Sequence, residues 1–250
     1  MIKDRAKILT LDIETSPAIV YAWGMFKQNI YNEQVIQPTR MICYSAKWLG
    51  GKQITRAEWE YEDRLDYLEE LHSLLDEADV VVHYNGKSFD IPHINREFIE
   101  VGLNPPSPYS QVDLYQTVRV KFNFLSNKLG WVLRQLELGD KMAHEGFALW
   151  SSVLNGDEGA RKRMLKYCAT DTLRTESLYE TLVPWMNGPN LALLNGESHA
   201  CPSCGSTDLQ KRGVARTTTS EFQRYFCNNC SSWSRSGKSV FRTDLRRLGA

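Results

Sequence analysis

Apolar and polar residues alternate from the start of the chain. In KILTLDIE, residues 7–14, Leu9, Leu11 and Ile13 share one face and Ile8, Thr10, Asp12 and Glu14 the other, because strand side chains have period two. Residues 41–49 and 52–59 flank Gly50-Gly51 and read as a hairpin. Between residues 65 and 77 the spacing becomes helical, with Leu65, Leu68, Leu71, Leu74 and Leu75 in one stripe. ADVVVHYNG, residues 78–86, holds a short β-branched run and predicts a buried strand. Asp90-Ile91-Pro92 predicts a helix start, with Asp near the cap and Pro in the first turn, running to Gly102. A strand end at Gln111–Leu114, a helix capped by Ser126 and ending near Leu138, and a long helix over 158–182 closed by Pro184 complete the pattern. Strands first and in the middle, with helices interleaved, predict an α/β layer fold around a mixed sheet.

The pattern breaks in PWMNGPNLALLNGESHACP, residues 184–202, where Asn187-Gly188-Pro189 and Asn195-Gly196 are turn signals. This places a linker at 187–199 between a large domain, 1–186, and a small one, 200–250, a division that 250 residues accommodate. Charge follows the same division. Thirty basic residues balance thirty acidic ones overall, but residues 197–250 hold nine Lys/Arg against four Asp/Glu, a net of +5. A basic tail on an acidic body points to a polyanion as partner. No apolar run approaches a membrane span, and the N-terminus MIKDRAKILTLDIE is too charged for a signal peptide. The expected location is therefore the cytoplasm.

The candidate chemistry begins with the polar face of the first strand. Asp12 and Glu14 stand side by side on it. Asp90 follows at a strand-to-helix junction, and Asp171 lies on the long helix with Tyr167 four residues before it on the same helix face. Four carboxylates converging on one point would repel and pay a large desolvation cost. Two Mg²⁺ or Mn²⁺ ions relieve this, since hard divalent cations take oxygen ligands, and a pair about 3.5–4 Å apart clamps a phosphodiester for hydrolysis. Asp113 reads as structural or as a support behind the ligating acids, because the set is complete without it. His83, His93 and His144 read as packing or surface residues, and Cys43 and Cys168 as buried thiols.

Asp-x-Glu on the first strand, Asn-x3-Phe-Asp (Asn85, Phe89, Asp90) and Tyr-x3-Asp (Tyr167, Asp171) resemble the three motifs of the DEDD exonucleases. The resemblance covers roughly residues 7–183 and extends to the proofreading domains of family B DNA polymerases. The tyrosine variety is indicated, because the histidine variety needs His at position 166, which is Lys166. DIETSP, VYAWGMFKQNI and KWLGGK are similar to stretches of small bacteriophage-encoded exonuclease-like proteins, which would place the chain in a bacterial host's cytoplasm. The resemblance implies a ribonuclease-H-like fold and 3′→5′ exonuclease activity, with Asp12, Glu14, Asp90 and Asp171 as metal ligands. It also implies that Tyr167 positions the attacking water or the scissile phosphate. Asn85 is expected to help hold the terminal nucleotide; Phe89 offers either a stacking face or a core side chain.

CPSC (Cys201, Cys204) and CNNC (Cys227, Cys230) are two Cys-x2-Cys knuckles at the spacing of a zinc ribbon, with one structural Zn²⁺ held by four thiolates. So small a segment has little core of its own and needs the metal to fold. Lys211, Arg212, Arg216, Arg224, Tyr225, Trp233 and Arg235 mix phosphate-contacting and base-stacking groups. The sequence thus predicts a two-metal 3′→5′ exonuclease whose ribbon grips nucleic acid, DNA favoured and RNA the alternative, with a polymerase or other replication protein as a further candidate partner. A structure-specific endonuclease on the same fold and a non-catalytic nucleic-acid-binding protein are the rival readings.

Overall fold

The structure is a computed structural model and describes residues 5–246. Its elements are β1 (Ile8–Thr15), β2 (Ile19–Val20), β3 (Val35–Gln37), β4 (Met41–Trp48), β5 (Gln53–Ala57), α1 (Arg64–Glu77), β6 (Val80–His83), α2 (Asp90–Glu100), β7 (Ser110–Asp113), α3 (Leu114–Lys121), α4 (Leu129–Gln135), α5 (Phe147–Leu154), α6 (Glu158–Leu182), α7 (Leu191–Leu194), β8 (Leu209–Arg216), β9 (Ser220–Cys227) and β10 (Trp233–Arg242). They form two compact units, Lys7–Tyr179 and a second made of Glu180 onward with Arg5 and Ala6. Arg247, counted in the basic tail, lies outside the described residues.

In the larger unit five strands lie in the order β5-β4-β1-β6-β7. β4 is antiparallel to β1 and β5, while β6 is parallel to β1 and β7. The first strand is therefore central, paired on both sides. Leu9, Leu11 and Ile13 face a core shared with Leu68, Leu71 and Leu75 of α1 and Ile94 and Phe98 of α2. Asp63 caps α1, accepting a hydrogen bond from the Leu65 amide at 2.9 Å. On the sheet's other face Met164, Tyr167 and Cys168 of α6 pack against Ile42, Cys43 and Ala57. Thr172 Oγ1 donates to the Ser45 carbonyl at 3.2 Å and Gln53 Nε2 to the Ala169 carbonyl at 2.7 Å. An ion pair of 2.6 Å joins Lys47 to Glu176. These contacts fix α6 in position across β4 and β5.

Five elements differ from the expectation. Ser126 does not cap a helix: its hydroxyl accepts from the Lys128 amide at 3.3 Å, and α4 begins only at Leu129. Helices α3 and α5, and the ribbon of β2 and β3, occupy stretches where the apolar pattern predicted no element.

In the smaller unit β8, β9 and β10 form an antiparallel sheet in the order β10-β9-β8. Its strands are almost entirely exposed or half-buried. Helix α7 lies within the expected linker, with the Leu191 amide donating to the Pro202 carbonyl at 2.8 Å. Among the described residues no helix is long and apolar enough to cross a membrane.

Candidate active site and cysteine centre

Strand pairing builds the first part of the site. On β1, Asp12 stands opposite Ser45 and Glu14 opposite Cys43, so small side chains flank both carboxylates. Helix α6 crosses above them, with Cys168 Sγ 3.5 Å from the Asp12 carbonyl oxygen. Tyr167 and Asp171, one helical turn apart, come down beside the pair. One carboxylate oxygen each from Asp12, Glu14 and Asp171 lies within 4.8 Å of the others. Asp90 stands outside this trio. It is buried at the start of α2, where its Oδ1 accepts a hydrogen bond from the Ile13 amide at 3.1 Å. That bond ties α2 to the backbone between the two acids of β1.

The electrostatics follow from crowding. Burial, then Asp90, Glu14 and Asp171, push Asp12 well above the usual carboxylate range. Burial and then Asp171 push Glu14 to about 8. Burial pushes Asp90 to about 7 against the hydrogen bond from Ile13, and Asp171 is raised by burial and pulled back by Lys141. Asp12 Oδ2 and Asp171 Oδ1 are buried with no hydrogen-bond partner. Unpartnered buried oxygens within a group of like charges fit a divalent cation, and an all-oxygen donor set fits Mg²⁺ or Mn²⁺.

Lys141, which no sequence pattern singled out, supplies positive charge to the cluster. Its Nζ is 2.5 Å from Asp171 Oδ2 and 5.2 Å from the centroid of the Tyr167 ring. Burial works against the ammonium, but Asp171 outweighs it and holds the pKa above the ordinary lysine value. The residue sits in an irregular loop, where neither periodicity nor a neighbouring motif marks it. Tyr167 is buried, with His144 4.8 Å and Trp150 6.2 Å away between ring centroids. Burial and then Asp171 push its hydroxyl to about 12, so it is a neutral donor at ordinary pH.

A cavity of about 790 Å³ opens beside Asp12, Lys141 and Asp171, within the usual size range of ligand sites. Asn85 lines it, as do Tyr84, Tyr115, Lys128, Trp131 and Arg134. Trp131 and Arg134 were not among the expected site residues. Their three-residue spacing puts the guanidinium 5.9 Å from the indole centroid, and the buried Trp131 Nε1 has no partner. Asn85 is held with a positive φ of 66° by its turn. Its amide and that of Tyr115 donate to Asp113 Oδ1 at 2.9 and 3.0 Å, so Asp113 organises the turn. His83 accepts from the Gly86 amide at 3.1 Å, and burial lowers its pKa. Phe89 is 40% exposed and rests against His93, with ring centroids 4.6 Å apart, which places it outside the core.

The four cysteines of the smaller unit form a second ligand group. Their sulfurs all lie within 4.8 Å of one another, with 3.7 Å for both Cys201–Cys230 and Cys204–Cys227. A tetrahedron with metal–sulfur bonds of about 2.3 Å has edges of about 3.8 Å, so the spacing fits one thiolate-bound Zn²⁺. The two knuckles share one backbone design. The Gly205 amide donates to the Cys201 carbonyl at 2.8 Å and the Ser231 amide to the Cys227 carbonyl at 2.9 Å, with φ of 73° and 62°.

The sheet sorts the expected nucleic-acid residues onto two faces. Arg224 and Arg235 are register partners, as are Phe226 and Trp233. Arg212 lies 4.7 Å from the Phe226 ring, Arg224 4.8 Å from Trp233 and Arg235 3.8 Å from Phe222. Lys211 and Tyr225 pair with each other on the opposite face, where Tyr225 meets His199 at 5.3 Å. Arg216 is engaged with Glu221 at 2.7 Å.

A model of the RNase_H superfamily matches residues 9–183. Among solved structures, the chain is similar to a family B DNA polymerase from the hyperthermophilic archaeon Pyrobaculum calidifontis, at 16% identity and a TM-score of 0.53. The likeness covers 86% of this chain and 32% of the polymerase, about a third of its length. Among curated proteins none matches.

Proposed function

The chain belongs to the RNase_H superfamily, and from that premise we propose that it is a 3′→5′ exonuclease that hydrolyses nucleic acid, DNA foremost, with two Mg²⁺ or Mn²⁺ ions. The observation that carries the reading is the trio Asp12, Glu14 and Asp171, with oxygens within 4.8 Å, of which Asp12 and Asp171 line a cavity shared with aromatic and cationic side chains. Asp12, Glu14, Asp90 and Asp171 would hold the ions, and Asp90 Oδ1 also accepts the Ile13 amide, tying α2 to the backbone of β1. When bound, the ions supply an activated water and stabilise charge on the leaving oxygen.

The chain's own residues do the rest. Tyr167, neutral and pinned by its aromatic neighbours, donates a hydrogen bond to the attacking water or to the phosphate; it is a positioner and not a base. Lys141 offers an ammonium to the phosphate once ions take over Asp171. Asn85 presents amide groups to the terminal nucleotide, and Tyr84, Tyr115 and Trp131 offer faces for base stacking. In the smaller unit a structural Zn²⁺ on Cys201, Cys204, Cys227 and Cys230 would set a sheet whose Arg212, Arg224, Arg235 and Trp233 face contacts phosphates and bases. A polymerase working in trans is the partner that the likeness to a polymerase suggests.

The test uses 5′-labelled single- and double-stranded DNA and RNA, free or blocked at the 3′ end, with Mn²⁺. The expected result is a ladder shortening from the 3′ end that a 3′ block prevents. Internal cuts on blocked substrates would favour the endonuclease reading, and no hydrolysis of any substrate would leave a binding protein.

A further inference from the structure

The connection from Ser16 to Arg40 plays no part in the reading above. Its ends are pinned together: the Ser16 amide donates to the Arg40 carbonyl at 2.8 Å and the Arg40 amide to Ser16 Oγ at 3.1 Å. Between them β2 and β3 form a separate two-stranded ribbon. The Tyr21 amide donates to the Gln34 carbonyl at 2.8 Å, and Gln34 Nε2 returns a bond to the Tyr21 carbonyl at 2.7 Å. The backbone is thus ordered by its own hydrogen bonds while the side chains face water. Tyr21 is 72% exposed, Trp23 99%, Met25 89%, Phe26 81% and Tyr31 66%.

Three properties of this arm indicate what covers it. The first is area. At 150–250 Å² per aromatic side chain, the exposed fractions of the four rings amount to roughly 500–800 Å², and Met25, Ile19 and Ile36 add to that. A stable protein interface needs about 800 Å² from each partner, and monomers rarely leave so large an apolar patch uncovered. The second is charge. Residues 17–37 contain one cation, Lys27, and one anion, Glu33. A polyanion finds almost nothing to neutralise its phosphates there, whereas a second neutral arm meets no repulsion. The third is the ribbon itself. A two-stranded sheet is marginal alone, and its edges are open to another strand. The same edge on another copy is self-complementary about a two-fold axis.

We propose that the Ser16–Arg40 arm is a self-association surface on which a second copy of this chain docks, arm against arm, to form a two-fold homodimer. The proposal stands independently of nuclease activity. Sedimentation equilibrium of the full chain across micromolar concentrations tests it. The wild type is expected at twice the 28.7 kDa of one chain. Trp23→Ser with Phe26→Ser, both at exposed positions, is expected to weaken association at least tenfold while leaving the thermal midpoint of the dissociated chain unchanged. Should that variant misfold, Tyr21→Ser with Tyr31→Ser gives the same reading. A monomeric wild type at every concentration overturns the proposal, as does a dimer whose affinity both variants leave unchanged. A monomeric wild type whose arm variants lose affinity for single-stranded oligonucleotide also overturns it, and makes the arm a nucleobase platform.

Discussion

The carboxylate trio and the cysteine quartet both gather like, metal-seeking groups within 4.8 Å of one another, yet they stand in opposite relations to the fold around them. The carboxylates are mounted on a finished core. Every residue of β6 is buried, as are the first four of β1 and the first six of β4, so the acids are held together against their own repulsion. The cysteines have no such support. In the strands of the smaller sheet Cys227 is the one fully buried residue, and the sulfur cluster takes the place of a core. A site of the first kind tolerates loss of its metal and loses only chemistry; a site of the second kind loses its structure.

The sharpest way to break this comparison is to remove ligands from the quartet. Cys201→Ser with Cys227→Ser should unfold the sheet of β8–β10. Amide exchange would show its strands unprotected while β1, β4 and β6 stay protected. Retained protection in β9 would mean that the sheet has stability independent of metal.

Tyr167→Phe separates packing from chemistry in the larger unit. The ring and its contacts with His144 and Trp150 remain, and one hydroxyl is lost. The single-turnover rate should fall roughly 10- to 1000-fold, the range for losing one preorganised polar contact, with substrate affinity little changed. An unaltered rate would demote Tyr167 to packing.

On the ribbon, Arg212→Ala, Arg224→Ala and Arg235→Ala together should weaken binding of single-stranded DNA by a catalytically dead protein. The slope of log affinity against log salt should shrink by about 2, from about 0.7 per phosphate contact. Lys211→Ala alone, on the opposite face, should leave the slope nearly unchanged.

The smallest effect concerns pH. Glu14 and Asp90 are raised to about 8 and about 7, above the values they have in an unfolded chain. Groups raised on folding stabilise the fold in their protonated forms, and that contribution is lost as pH rises. The zinc-loaded protein without Mn²⁺ should therefore lose thermal stability between about pH 4 and 8, while added Mn²⁺ should flatten the profile. Glu14→Gln should flatten it without metal. A Mn²⁺-free protein equally stable across that range would contradict the crowding described for the trio.

Much of this was legible in the residues. The alternation in KILTLDIE gave β1 and the shared face of Asp12 and Glu14, because a central strand buries one face wholly and the period is strict. The four-residue spacing of Tyr167 and Asp171 gave a common helix face because α6 is long and regular. What escaped lies where local pattern carries no signal. Lys141 enters the site from an irregular loop, by tertiary contact alone. The ribbon of β2 and β3 has strands of two and three residues, too short for alternation to register. Asp90 was expected among the converging acids; it lies close enough to raise Asp12 and Glu14, and its Oδ1 also accepts the Ile13 amide, a second contact that spacing cannot show.

The central claim is that Asp12, Glu14 and Asp171 form a divalent-ion centre on a fold that survives without it. The direct measurement is calorimetric titration of Mn²⁺ into the zinc-loaded chain, compared with Asp12→Ala. The account predicts that the wild type takes up two Mn²⁺ ions and that Asp12→Ala loses at least one. The variant should keep its zinc, show an equal or higher melting temperature without Mn²⁺, and have no detectable hydrolysis. Unchanged Mn²⁺ stoichiometry and near-wild-type hydrolysis in folded Asp12→Ala would contradict it.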